Sequence, residues 1–165
     1  MMTCLARNVA IGSTALVLAA AAVGQTPGTD KSICTFIGFN PQEQLNDRQG
    51  HAISISQFTC RAEGGLLDGA VMTGSQIYEW NGANAVGHAG YGVYRKPGAT
   101  LIYVNDEMKN TLTMADGKVT GFAASGRGHY ALATGTVESL TGKTYTYTAK
   151  PIGPGQFLLE SRLNP

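Results

Sequence analysis

Between Asp116 and Ala149 the chain reads DGKVTGFAASGRGHYALATGTVESLTGKTYTYTA: three extended runs, joined by glycine-bearing turns, with almost no charge inside the runs. No other stretch restricts the fold as tightly. Asp116-Gly117 predicts a two-residue hairpin turn, because a type I′ turn needs positive φ at both central positions and glycine adopts it without steric cost. Thr144-Tyr-Thr-Tyr-Thr alternates with period 2, so both tyrosines share one face of a strand and the three threonines share the other. β-Branched and aromatic side chains suit a pleated, half-buried surface. No window repeats apolar residues at i, i+3, i+4 and i+7, so the stretch does not read as helix. Gly126 and Gly128 predict a break between a strand over 119–124 and another over 129–137.

The same grammar extends along the chain. Strands are expected over 33–39, 51–60, 69–80, 84–95, 99–105 and 156–163. Asn81-Gly82 and Lys96-Pro97-Gly98 supply turn chemistry between them. A polar loop with one turn of helix after Pro41 is expected over 40–50, a turn over 106–109, and a loop at Ile152-Gly-Pro-Gly. Helices do not alternate with strands, so the sheet should be antiparallel. Glycines also fall inside strands, at Gly87, Gly90 and Gly92, where they mark bends or close backbone approaches. The predicted class is all-β, an antiparallel closed barrel of about eight strands, with a β-sandwich as the alternative.

A chain of 165 residues favours one domain. With 43% hydrophobic and 14% charged residues it can build a core. Residues 1–24 read as a secretory signal peptide: Arg7 precedes an apolar run from Val9 to Val23, and Ala20, Ala22 and Gly24 offer small residues for cleavage. The other reading is a transmembrane anchor, but that run is short against the ~20 residues needed to span a bilayer. No later stretch is long and apolar enough to insert stably. Residues 25–32 read as a flexible leader and 33–165 as the barrel domain.

The chain has 12 basic residues, one of them Arg7, and 11 acidic ones. Without Arg7 the formal charges cancel, which leaves no basic surface for nucleic acid. The expected location is secreted or periplasmic. Cys34 and Cys60 remain after cleavage, and an even count in an exported chain suggests a disulfide, with two buried free thiols as the alternative. Neither another cysteine nor an adjacent histidine completes a metal set.

The sequence holds no nucleophile elbow, P-loop, dinucleotide fingerprint, HExxH or EF-hand, so no cofactor is expected. His51, His88 and His129 show no local ligand spacing. Small neighbours at Gly87, Ala89 and Gly90 leave room beside His88, and histidine is a residue type suited to acid–base work. Glu79 stands between Tyr78 and Trp80. Pointing into a barrel, its carboxyl would be desolvated and fitted to act as a general acid; pointing outward, it is an ordinary strand carboxylate. Glu79 and His88 are therefore the candidate catalytic pair. Tyr78, Trp80, Tyr91, Tyr94 and Tyr103 are the candidate ligand-binding residues, with core filling as their other reading.

Residues 125–136, SGRGHYALATGT, following glycine-rich strands, resemble the late strands of the allene oxide cyclase and dirigent barrel superfamily. Ala133-Thr-Gly135-Thr echoes the superfamily's conserved glycine segment, without its phenylalanine. The resemblance implies an eight-stranded antiparallel barrel that binds an apolar small molecule inside, where some members steer cyclisation or coupling. No catalytic residue carries over. Lipocalins bind similar ligands, but their early G-x-W motif is missing, and the one tryptophan, Trp80, stands mid-chain. Three functions are thus in view: a barrel binding a small, largely apolar ligand; an isomerase or cyclase of that shape; and a structural or surface-interaction protein with a filled core.

Overall fold

The computed structural model describes residues 28–38 and 41–165. The expected signal peptide over residues 1–24 lies outside the described residues. Nine strands follow in order: β1 (Thr29–Phe36), β2 (Gln42–Gln44), β3 (His51–Ala62), β4 (Val71–Asn81), β5 (Asn84–Lys96), β6 (Ala99–Ala115), β7 (Lys118–Gly135), β8 (Thr144–Gly153) and β9 (Gln156–Leu163). A 3-10 turn at Glu138–Leu140 is the only helical element among the described residues.

From β3 to β9 each strand pairs antiparallel with the next. β1 then lies between β9 and β3 and pairs with both, from Thr29↔Arg162 to Thr35↔Gln156 on one side and from Ser32↔Ala62 to Phe36↔Phe58 on the other. The result is a closed eight-stranded barrel rather than a sandwich, with β2 added to β3 beyond the end of β1. Closure pairs the edges that an open sheet would leave bare.

Period-2 patterning makes this wall. In β3, Ala52, Ser54, Ser56, Phe58, Cys60 and Ala62 are buried, while Ile53, Ile55 and Arg61 face outward. Asp116 and Gly117 have φ of 51° and 71°, the positive pair that the sequence predicts for the β6–β7 turn. Cys34 and Cys60 sit directly opposite one another across the β1–β3 seam and form a disulfide, S–S 1.99 Å.

Several expectations need correction. β1 starts at Thr29, inside the stretch expected to be a leader, because Asp30 and Ser32 are buried and residues 29–32 pair with β9. The segment after Pro41 forms the short strand β2, not a turn of helix, since Gln42–Gln44 meets β3. Residues 106–109 do not turn the chain; β6 runs through them, and the register shifts between Asn105 and Glu107 as a bulge. Nor do Gly126 and Gly128 break β7. They stand opposite Tyr147 and Tyr145 of β8, and a β-carbon at Gly126 would lie 2.7 Å from the Tyr147 ring. Gly92 stands opposite Tyr103 in the same way, its absent β-carbon 2.6 Å from that ring. Glycine inside these strands makes room for tyrosines lying against the inner wall.

One end of the barrel is shut. Leu67 from the β3–β4 connection and Val137 from the β7–β8 connection pack together with Tyr94 and Leu101. The Asp30 carboxylate accepts a hydrogen bond from the Leu67 N–H at 3.2 Å, and Lys96 Nζ donates to the Leu66 carbonyl at 2.9 Å. The other end carries the β4–β5, β6–β7 and β8–β9 hairpins and the β1–β2 link.

Candidate functional site

The barrel encloses a cavity of about 420 Å³, within the size range of small-molecule sites. It reaches the hairpin end, where exposed Gly38, Gln42 and Gly155 join its lining. Its mouth side is phenyl-lined. Phe157 touches Phe36, Phe58 and Phe122, with ring centroids 4.9, 5.5 and 6.0 Å away. The floor is made of tyrosines: Tyr130 stacks on Tyr145 at 4.8 Å, and Tyr94 lies 5.7 Å from Tyr103. Tyr78 and Trp80, 6.0 Å apart, form the β4 side.

Polar groups are set among these rings. Trp80 Nε1 donates to Ser54 Oγ at 2.8 Å, and the Tyr145 hydroxyl donates to Asn105 Oδ1 at 2.7 Å. Gln76, Asn110 and Ser161 also line the space. Asn110 Oδ1 is sealed from solvent and has no hydrogen-bond partner among the described residues, whereas the buried Tyr147 hydroxyl shares a hydrogen bond with the Tyr78 hydroxyl. Among the described residues no Asp, Glu, Lys, Arg or His contributes to the lining. Burial holds the hydroxyls of Tyr78, Tyr94, Tyr103, Tyr130, Tyr145 and Tyr147 above the usual phenol range, so the walls stay neutral.

Four of the expected ligand-binding residues, Tyr78, Trp80, Tyr94 and Tyr103, line the cavity. Tyr91 does not. It lies on the outer wall, 56% exposed, because a strand that buries Tyr94 must turn a residue three positions earlier outward.

Glu79 and His88 are brought together, but outside the barrel. Glu79 alternates with inward-facing Tyr78 and Trp80, so its carboxylate points away from the cavity. One of its oxygens meets His88 Nε2 at 2.6 Å and the other meets His51 Nε2 at 2.8 Å. His51 Nδ1 in turn bonds to Asp47, and Arg48 reaches Glu79 at 3.6 Å. The imidazoles of His88 and His51 hold the Glu79 carboxyl below its ordinary range, the reverse of the desolvation expected inside a barrel. Asp47 and Glu79 raise the pKa of His51. Two acids of β6 also face outward: Glu107 pairs with Arg127 at 2.5 Å, and Asp106 with His129 at 3.0 Å. Among the described residues no group of three or more His, Cys, Asp or Glu is placed to hold a metal ion. No helix among them is long and apolar enough to cross a membrane.

Sequence reading missed the polar lining. Gln76 shares the face of Tyr78 and Trp80, a parity already visible in β4. Tyr145 and Tyr147 share a face in the Thr-Tyr alternation. Asn105 and Asn110 straddle the β6 bulge, so no parity count from sequence places both inside. No protein-family model and no curated protein matches the chain.

Proposed function

We propose that this is an exported barrel that binds a small, largely apolar ligand in its interior without transforming it. The supporting observation is the cavity of about 420 Å³, lined by phenylalanine, tyrosine and tryptophan and, among the described residues, free of charged side chains. Burial of apolar ligand surface at roughly 25 cal/mol per Å² is the driving force available to such a site. The Cys34–Cys60 disulfide suits an oxidising compartment, in keeping with export after removal of residues 1–24. The likeness of residues 125–136 to the late strands of allene oxide cyclase and dirigent barrels is in keeping with ligand binding inside. The isomerase or cyclase reading loses the two residues on which it relied, because Glu79 and His88 lie on the outer wall.

Titration with N-phenyl-1-naphthylamine, an apolar fluorophore that brightens in dry surroundings, tests the proposal. Saturable enhancement is expected, with matching loss of emission from Trp80, the single tryptophan and a cavity residue. An unsaturable, Trp80-independent signal would overturn it. Native mass spectrometry of protein purified from its source then gives the mass of any co-purifying ligand.

A further inference from the structure

We infer that the cavity selects an uncharged ligand whose apolar body carries a hydrogen-bond donor, an O–H or N–H, and that it excludes the ionised carboxylate of the same shape. The inference rests on the binding role proposed above and narrows it to a chemical class.

Two observations carry it. The first is the composition of the wall. A carboxylate entering the cavity would exchange water for neutral rings, amides and hydroxyls, with no cation among the described lining residues to pair with. Desolvating an unpaired charge costs far more than those groups return. A neutral molecule bears no such cost.

The second is an unpartnered oxygen. Asn110 stands on β6 between Ala85 of β5 and Ala124 of β7, whose methyl groups offer no hydrogen bond. Its Oδ1 is consequently sealed without a donor among the described residues. A buried polar atom left unsatisfied costs on the order of 1–3 kcal/mol, and such an atom calls for an explanation in a folded protein. An amide oxygen can only accept, so the missing partner at Asn110 is a donor. Phenyl groups at the mouth and this oxygen further along the wall give the cavity an apolar part and a hydrogen-bonding part.

Three matched anthracene probes separate the possibilities: 9-methylanthracene, 9-anthracenemethanol and anthracene-9-carboxylate, each titrated at pH 7.5 against Trp80 emission. The alcohol is expected to bind about tenfold more tightly than the methyl compound, the worth of one hydrogen bond to a previously unpartnered atom. The carboxylate is expected to bind at least about tenfold more weakly than the methyl compound. In Asn110→Leu the alcohol's advantage should vanish while methylanthracene binding persists. Circular dichroism verifies that this variant folds; if it does not, Asn110→Ala takes its place with the same expected loss. Equal binding of alcohol and methyl compound, or carboxylate binding as tight as the alcohol, overturns this inference and leaves the binding role standing. Saturable binding of none of the three overturns both.

Discussion

Tyr145 lies across Gly128, its directly opposed partner on the neighbouring strand, so closely that a β-carbon at position 128 would come within 2.6 Å of the tyrosine hydroxyl. The same carbon would come nearer still to the Val104 carbonyl, which is backbone and cannot swing aside. Gly128→Ala is therefore expected to destabilise the barrel by about 2 kcal/mol, as overpacking does. Gly121 in the same strand is the control. A β-carbon there meets nothing closer than 3.6 Å, and its φ is not positive. Gly121→Ala should be neutral or stabilise by about 0.5 kcal/mol through the unfolded chain. Urea unfolding of the two variants gives both values.

Tyr147→Phe removes a buried hydroxyl that shares a hydrogen bond with the Tyr78 hydroxyl. The unliganded variant should lose about 1 kcal/mol of stability, the net worth of one such bond. Chemical unfolding without ligand measures it; unchanged or raised stability would mean that the contact contributes nothing.

The disulfide spans 26 positions and joins the closing strand to its neighbour. By the chain-entropy estimate its loss costs about 3.5 kcal/mol. Cys34→Ser with Cys60→Ser should lower stability by roughly that amount. Hydrogen exchange should quicken first at β1, since its cross-link to β3 is gone. Intact-protein mass spectrometry before and after reduction should show the return of two protons.

The outer-wall network makes stability depend on pH in two directions. The folded pKa of His51 is raised from 6.5, with the Asp47 hydrogen bond the larger cause and Glu79 the second. Its contribution is complete below pH 6.5 and is lost as pH rises through the folded value. Glu79 and Asp47 are held below 4.5 and 3.8, so their contributions are present above those values and are lost on acidification. The melting temperature should therefore pass through a maximum in mildly acidic solution. His51→Gln should flatten the alkaline limb. Because this network stands outside the cavity, Glu79→Gln should leave N-phenyl-1-naphthylamine affinity unchanged; a large change would place the carboxylate in communication with the interior.

Turns and the identity of most strands are readable from residue type alone. Asp116-Gly117 forms the turn its chemistry predicts, and β9 has its expected limits. Where the reading failed, the cause was a relation between strands. Gly126 and Gly128 carry the local signal of a break, and only their register against Tyr147 and Tyr145 shows that they continue the strand. The polar run at 106–109 likewise reads as a turn until its pairing with β7 is seen. Among the candidate residues the error lay in parity. Glu79 cannot share a cavity with Tyr78 and Trp80 in an unbroken strand, and Tyr91 cannot share one with Tyr94. The unpartnered oxygen of Asn110 was beyond reach, because its lack of a partner depends on what Ala85 and Ala124 fail to offer from adjoining strands.

Thr29 sits opposite Arg162, so the first and last strands of the wall complete each other. During synthesis β1 emerges before the other strands of the wall and must wait for β9 before its second edge is covered. Until then the nascent wall exposes two free borders and encloses nothing. Closure is thus a late event set by the longest-range pairing in the sheet, and folding should be correspondingly slow.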